Sequence, residues 1–403
     1  MKVLYVEWRC YCADDVKSAL ANLGHEVKTI SVPEVHPFEL DYEYIYVVQY
    51  AIGSYKPDIV FSMNFLPSIS IACNETSTKY VSWIYDNPHT AVYDKEVKNK
   101  CNYIFTFDSY MVSQLQARGV ENIYYAPLAV NAERLGKIVP NADDIRRFKG
   151  EVAFVGSLYN ESTDYYGIYV DKAQNEYFKG YLDGVINAQK KVYGYNFMSE
   201  CLSSEILSTF ERIGANVLHE GSLMNDAEMY SDVYLSKKLA TINRIELLYV
   251  LGNFFKVNLY TYKESVIPNV NHKGTVSYYT EMPKVFKTSL INLCDTRRSI
   301  KNGIPLRAMD IMGCGGFLLC NYQEDFFKHF EPDVHMVLYG SIEEAVDKCR
   351  YYLGHEDERR KICANAYEIM SKEHTYEIRL NQMFKQIEIA EKQNLKGCKV
   401  KYY

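Results

Sequence analysis

Short apolar, β-prone runs recur down this chain with helical patterns between them, and that alternation limits the fold more than any other feature. Val3-Leu4-Tyr5-Val6 opens the series. A helical pattern follows over residues 15–23 and stops at Gly24, and 25–30 read as a second strand. Strand, helix and strand within about thirty residues is the opening of a parallel α/β sheet. Further strands are expected at 57–62, 80–85, 103–107 and 123–126. Their apolar residues run continuously instead of alternating, as in strands buried on both faces. In such sheets functional groups gather just beyond the carboxyl ends of strands. Those positions here hold Glu7-Trp8-Arg9, Asn64, Asp86-Asn87-Pro88-His89 and Asp108-Ser109.

Composition turns polar over 137–149, and a domain boundary is expected at 145. The alternation then restarts with Glu151-Val152-Ala153-Phe154-Val155, followed at once by Gly156 and Ser157. Backbone N–H groups of a small-residue turn after a first strand can approach a phosphate. The turn has neither G-x-G-x-x-G spacing nor a Walker lysine. Residues 158–236 break the alternation. Tyr177, Tyr181 and Ile186, then Leu202, Ile206 and Phe210, recur at helical spacing, so a helical insertion is expected. The sheet pattern resumes with a helix at 244–251 and strands at 257–260, 275–279 and 289–293. Two final helices are expected at 342–353 and roughly 356–391, with a frayed charged tail over 396–401.

The stretch from Asn302 to Leu319 carries the most chemistry. It reads as loop, short helix, Gly-rich stop and buried strand. Pro305 suits a helix start, and Gly313, Gly315 and Gly316 suit its end. Arg307 and Asp310 are three apart and share a face. The helix start near Gly303, Ile304 and Leu306 offers N–H groups and the positive end of the dipole, worth roughly 0.3–1 kcal/mol toward a phosphate. Arg307 could complement a diphosphate, and Asp310 could accept hydrogen bonds from a ribose diol. Spacing alone favours a surface ion pair on a helix packed under a sheet.

Several function classes fall away. The net charge is −6 and no basic stripe is present, which argues against nucleic acid. Eleven cysteines are scattered without a C-x-x-C, and Cys10-Tyr11-Cys12 is too isolated for a zinc site. Reduced thiols and a cytoplasmic setting are expected. No apolar run reaches the roughly 18 residues of a membrane span, and charge follows the first strand too soon for a signal peptide. A peripheral membrane contact stays open. The 37 tyrosines fit clefts that hold sugars and equally fit compositional bias.

Several motifs together are similar to the CgeB-type spore-maturation, glycosyltransferase-like family. They are Ser289-Leu290-Ile291-Asn292-Leu293, the run from Gly303 to Leu318, Tyr351-Tyr352-Leu353, and His374-Thr375-Tyr376 with Arg379. Pro57-Asp58-Ile59-Val60, Trp83-Ile84-Tyr85-Asp86-Asn87-Pro88 and Phe154-Val155-Gly156-Ser157 extend the resemblance into the first half. It implies a GT-B fold of two Rossmann-like doubly wound domains: an acceptor domain over 1–145 and a donor domain over 146–375 with the insertion at 158–236. A closing helix over 376–403 would pack back on the first domain. It implies a sugar-nucleotide donor, with a UDP-sugar favoured, and a protein or cell-surface glycan acceptor. Related retaining enzymes carry two spaced glutamates. Asn302 and Asp310 stand at the matching positions, and the second would hold the donor ribose.

No D-x-D triplet is present, so no metal and no cofactor are expected. The positive potential for a leaving diphosphate would come from Arg307, the helix start at Ile304 and Leu306, the Gly156 and Ser157 amides, and Arg244. Arg244 could equally be a surface residue of its helix. Asp86 is the acceptor-side candidate, with His89 as a rival and an Asx-turn as the structural alternative. Tyr279 is placed near the base or the phosphates. The resulting expectation is a metal-independent, retaining transfer. The competing readings are a weakly active sugar-nucleotide-binding scaffold and a GT-B-fold sugar-nucleotide epimerase.

Overall fold

The computed structural model describes residues 1–8, 10–31, 41–160, 163–215, 218–263 and 265–399, with backbone alone over 394–399. Arg9 and the last residues of the charged tail lie outside the described residues. The chain forms two compact units. One comprises Met1–Val130, His219–Leu223 and Glu373–Tyr403; the other comprises Asn131–Leu218 and Met224–Lys372. The polar stretch over 137–149 therefore belongs to the second unit. Much of its polarity is helix capping: Asn141 Oδ1 accepts from Asp144 N at 2.9 Å, and Asp144 Oδ2 accepts from Asn141 N at 3.0 Å.

The first unit is built on a parallel sheet of β1 (Lys2–Glu7), β2 (Glu26–Ser31), β3 (Ile59–Met63), β4 (Lys79–Ile84), β5 (Asn102–Thr106) and β6 (Ile123–Tyr125). Their order is β2-β1-β3-β4-β5-β6. All of β3 and β5 is buried, including the polar Ser62, Asn102 and Thr106, which is why neither alternates between apolar and polar. The terminal helix Tyr376–Lys399 packs against helix Ala13–Asn22 and β4. Asn22 Nδ2 donates to Glu377 at 3.0 Å, Lys79 pairs with Glu391 at 2.5 Å, and the Tyr376 ring meets Trp83 edge-on at 6.0 Å. One long helix over 356–391 does not form. Glu356–Glu373 and Tyr376–Lys399 are separate helices, because the backbone at His374 turns to accept a hydrogen bond from Val130 N at 3.0 Å. The second of these carries the tail as helix through Lys399. Part of the insertion also joins this unit: Leu223 N donates to Tyr93 O, and Arg118 Nη1 donates to Leu223 O, each at 2.6 Å.

The second unit holds β7 (Gly150–Val155), β8 (Val257–Tyr260), β9 (Val270–His272), β10 (Ser289–Cys294), β11 (Leu318–Asn321) and β12 (Val337–Tyr339). They are parallel in the order β12-β11-β10-β7-β8-β9. Chain direction across the sheet reverses between β7 and β10, where Ile291 pairs with Val152 and Leu293 with Phe154. Val152, Leu247, Leu248, Leu251, Leu259, Ile291, Leu319 and Val337 form a core with no exposed surface. Each such side chain contributes about 1.5–3 kcal/mol by leaving water. The insertion supplies helices Tyr165–Tyr169, Glu176–Lys190 and Ser204–Arg212.

The strand expected over 275–279 is absent, and β9 lies earlier. Gly274 takes a left-handed φ of +76°, and the following segment spends its polar groups on the next helix. Ser277 N donates to Glu281 Oε2 at 2.9 Å, and Tyr278 O–H donates to Asp310 Oδ1 at 3.0 Å. Between helix Leu306–Gly313 and β11 the packing leaves no room at Gly316. A Cβ there would stand 2.9 Å from both Asn292 Nδ2 and Phe286 O. Gly316→Ala is expected to destabilise the second unit by about 1–3 kcal/mol through overpacking, read as a lower denaturant midpoint. An unchanged midpoint would show that β11 can shift freely.

Candidate functional site

The reversal between β7 and β10 brings two strand ends side by side. A crevice at such a switch point is where open α/β sheets bind ligands. Here it is a cavity of about 190 Å³. Gly156, Ser157 and Tyr159 extend from β7 into one wall, and Asp295, Thr296 and Arg297 extend from β10 into another. Arg244, from helix Ser236–Gly252, lines it, as do Pro305 and Arg307 at the start of helix Leu306–Gly313.

Arg244 is buried, not a surface residue. Its Nη1 donates to Ser157 O at 2.5 Å, its Nη2 donates to Asp295 O, and its Nε lies 3.5 Å from Asp295 Oδ2. It thereby ties the two strand ends together. Its guanidinium also sits 4.5 Å from the centre of the Tyr159 ring. Burial is the largest influence and lowers its pKa, but Tyr159, Asp295, Cys294 and Tyr339 together outweigh it and the net shift is upward. Asp295 also accepts from Asn243 Nδ2 at 2.8 Å and from Tyr339 O–H at 3.2 Å.

Arg297 is held from below by a π-helical turn, Tyr230–Leu235. Its Nη2 donates to Asp232 O at 2.6 Å and Val233 O at 2.9 Å, and its Nε donates to Ser236 Oγ at 3.1 Å. A π turn breaks the i→i−4 ladder and is frequent at functional sites. Burial lowers the Arg297 pKa to about 10, so it remains a cation at neutral pH. Arg307 is half-buried, with Nη1 against Met282 Sδ and its guanidinium 5.7 Å from the Phe286 ring centre. Three guanidiniums and one carboxylate therefore line this cavity, which gives it a positive potential. Cys294 lies on its floor; a hydrogen bond from Cys320, then Arg244 and Arg307, lower the thiol's pKa. The described cysteines are all free thiols.

Of the residues singled out in the sequence, Gly156, Ser157, Arg244 and Arg307 meet in this cavity. The Gly156 N–H is already used: it donates to Tyr260 O at 3.0 Å, as part of the sheet. Asn302, Gly303, Ile304 and Leu306 lie beside the cavity lining and not in it. Asn302 O accepts from Asp325 N, and Gly303 O accepts from Gln323 Nε2, each at 3.0 Å. The Ile304 side chain is in the core. Asp310 is buried one turn beyond Arg307, with Oδ1 taken by Tyr278 O–H. Tyr279 is also outside the lining; its ring lies 4.9 Å from the Arg134 guanidinium. Arg297, Asp295 and Tyr159 were not singled out. The run Asp295-Thr296-Arg297 after a buried strand was the signal that could have found the first two.

In the first unit, Asn64 organises the turn after β4. Its backbone φ is +58°. Asn64 Oδ1 accepts from Tyr85 N at 3.0 Å and Asp86 N at 3.2 Å, and Nδ2 donates to Asp86 Oδ2 at 2.9 Å. Desolvation raises the Asp86 carboxyl pKa against the pull of Asn64, but the residue is exposed and water limits that rise. His89 is buried, with Nε2 2.6 Å from Phe65 O, and is a structural group rather than a rival to Asp86.

Burial lowers the His89 pKa to about 4. The unfolded chain takes up that proton near 6.5. The native state thus binds fewer protons between those values. Stability from His89 is full above pH 6.5, falls as pH drops toward 4, and levels off below. The expected loss is about 3 kcal/mol. Both tryptophans, Trp8 and Trp83, lie in this unit, so their fluorescence during urea unfolding reports on it. His89→Gln should flatten the difference between pH 7 and pH 4.5. An NMR titration placing His89 near 6.5 would refute the assignment.

Among the described residues no helix is long and apolar enough to cross a membrane, and no group of three or more His, Cys, Asp or Glu is placed to hold a metal ion. No curated protein sequence matches the chain. Several solved structures do. A glycosyltransferase from Rickettsia africae is 12% identical over 97% of this chain and 98% of its own, with a TM-score of 0.51. Sucrose-phosphate synthase from Thermosynechococcus elongatus is 8% identical over 96% and 99%, with a TM-score of 0.56. HepE from Anabaena, solved in complex with UDP and glucose, is 12% identical over 96% and 99%, with a TM-score of 0.53. At these identities the likeness is one of fold, and that fold is GT-B. Residues 236–385, which include Arg244, Asp295, Arg297 and Arg307, match the family model described as "Glycosyl transferase-like". This part of the chain is thus similar to the glycosyl transferase-like family, in a chain of GT-B fold.

Proposed function

We propose that the protein transfers a sugar from a nucleoside-diphosphate sugar, with a UDP-sugar favoured, to a protein or cell-surface glycan acceptor. The observation that carries this reading is the convergence of Arg244, Arg297 and Arg307 on one switch-point cavity lined by a single carboxylate. Transfer breaks the bond between the anomeric carbon and the diphosphate and forms one to an acceptor oxygen. Charge accumulates on the leaving diphosphate, and fixed cations aimed at it are often the largest catalytic term. Two of the three guanidiniums are locked by backbone carbonyls, so they need little reorganisation. They supply the charge compensation in a reaction that needs no metal.

In this reading Arg307 and the helix start beside it meet the diphosphate. Asp310, one turn on and held by the Tyr278 O–H, is the group that meets the donor ribose. Asp86, exposed and braced by Asn64, orients the acceptor hydroxyl. The outcome is retaining, the setting cytoplasmic, and the CgeB-type resemblance points to spore or other cell-surface glycosylation. HepE, solved with UDP and glucose, supports the choice of base. The test is nucleotide release from a panel of nucleotide sugars, with mixed protein and glycan acceptors, in EDTA. The reading predicts acceptor-dependent UDP release at an unchanged rate in EDTA. Release that returns only with Mg²⁺ or Mn²⁺ would contradict the metal-free mechanism.

A further inference from the structure

A second cavity, of about 250 Å³, adjoins the first within the same unit. Tyr159 lines both. Its other walls are Tyr165 and Tyr166 of the insertion, Tyr234 of the π turn, and Lys237, Lys238 and Lys263. None of these lysines lines the first cavity. The nucleotide reading makes no use of them.

We propose that this second cavity is a binding site for an anionic sugar, a pyranose carrying a carboxylate or a phosphate. Three features point there. The first is charge. Three lysines converge from two elements, the helix Ser236–Gly252 and the loop after β8, and the lining holds one carboxylate, Asp164. Asp164 is committed to capping: its Oδ1 accepts from Gly167 N at 3.0 Å. The second is shape. Tyr165 stacks on Tyr234 with ring centres 5.0 Å apart, and Tyr169 stacks on Tyr234 at 5.6 Å. This mutual stacking makes a rigid aromatic wall, the kind of surface against which a sugar ring packs while a few placed polar groups fix its orientation. Two of the ammonium groups are set over tyrosine rings of the lining. Lys237 Nζ lies 5.6 Å from the Tyr165 centre, and Lys238 Nζ lies 4.9 Å from the Tyr166 centre. Lys263 Nζ is aimed by a hydrogen bond to Asn160 O at 3.1 Å.

The third feature is Tyr159 itself. It is a non-glycine residue with φ of +60°, a conformation that costs of order 1–3 kcal/mol and persists where its surroundings impose it. Its ring lies 4.5 Å from the Arg244 guanidinium and 5.4 Å from that of Arg297. It thus forms a partition, with arginines of the first cavity against its ring and lysines of the second beyond it. The second site stands on its own cations and does not depend on what fills the first.

The experiment is isothermal titration of the full chain with glucuronate, glucose 1-phosphate, neutral glucose and inorganic phosphate, with UDP as a separate titrant. A charged sugar should bind at least about tenfold more tightly than glucose and than phosphate alone, the difference expected from one charge-assisted contact. The double variant Lys238→Ala, Lys263→Ala removes half-exposed or exposed side chains and should fold normally. It should weaken the charged sugar by about tenfold or more and leave UDP binding unchanged. Glucose binding as tightly as the charged sugars would overturn the proposal, and so would phosphate binding as tightly as the sugar phosphate. Unchanged affinity in the double variant would place the ligand elsewhere and also overturn it. Failure of UDP to bind the unmutated chain, with charged sugars still bound, would count against the nucleotide reading and leave this site standing.

Discussion

Asp295→Ala is expected to destabilise the second unit by about 3–5 kcal/mol, the cost of leaving a buried cation without its partner. Asp295 is 2% exposed. It sits beside Arg244 and accepts from Asn243 and Tyr339, so its loss unpairs three groups at once. Arg244 would then keep its backbone contacts to Ser157 O and Asp295 O and its place by the Tyr159 ring, with no carboxylate beside it. Asp295→Asn keeps the size and part of the hydrogen bonding and should cost roughly half as much. The second unit has no tryptophan, so the measurement is far-UV circular dichroism in urea, with the Trp8 and Trp83 fluorescence transition as an internal reference. A circular dichroism midpoint that barely moves would show that Arg244 is compensated by other means, and the site's electrostatic description would be wrong.

Arg307→Ala has the second large effect, on ligand affinity instead of stability. Arg307 is half-buried at the first turn of its helix and touches Met282 and Phe286, outside the carbonyl and carboxylate network that locks Arg244 and Arg297. Removing it should leave the unfolding midpoint nearly unchanged. It should remove one charge-assisted contact to a diphosphate, worth about 1.5–3 kcal/mol, so the Kd for UDP should rise about 10- to 150-fold. Arg307→Lys keeps the charge but loses the planar fork, and should fall between. An unchanged Kd in Arg307→Ala would remove this residue from the site.

The strands were legible in the sequence because buried parallel strands read as unbroken apolar runs. β3, β5, β7, β8 and β10 all sit within a residue or two of where those runs lie. Residues 275–279 have the same look and form no strand. They are tied to the neighbouring helices instead, through the Ser277 backbone N–H and the Tyr278 hydroxyl. A linear pattern cannot distinguish a side chain that packs in a sheet from one that hydrogen-bonds across a loop.

The site was legible only in part, for a topological reason. Gly156 and Arg307 were recognisable as the end of a first strand and the start of a short helix. Arg297 gains its meaning from strand order: β10 lies beside β7 although β8 and β9 come between them in the chain. Arg244 had two readings of similar weight until its burial against Asp295 separated them. The Gly156 amide could not be judged from sequence, because whether an N–H is spent inside a sheet depends on register. Asp310 shares the predicted helix face with Arg307, yet one turn further on it meets Tyr278 and not the cavity lining. The phase of a short helix against its neighbours is not encoded in its own spacing.

The most direct test of the central claim is amide hydrogen exchange of the full chain with and without UDP, in EDTA. The account predicts that UDP slows exchange in two peptides far apart in sequence, one spanning 156–160 and one spanning 295–309. It predicts that EDTA makes no difference. Protection confined to other segments, or protection that requires a divalent metal, would contradict a metal-free diphosphate site at the β7–β10 switch point.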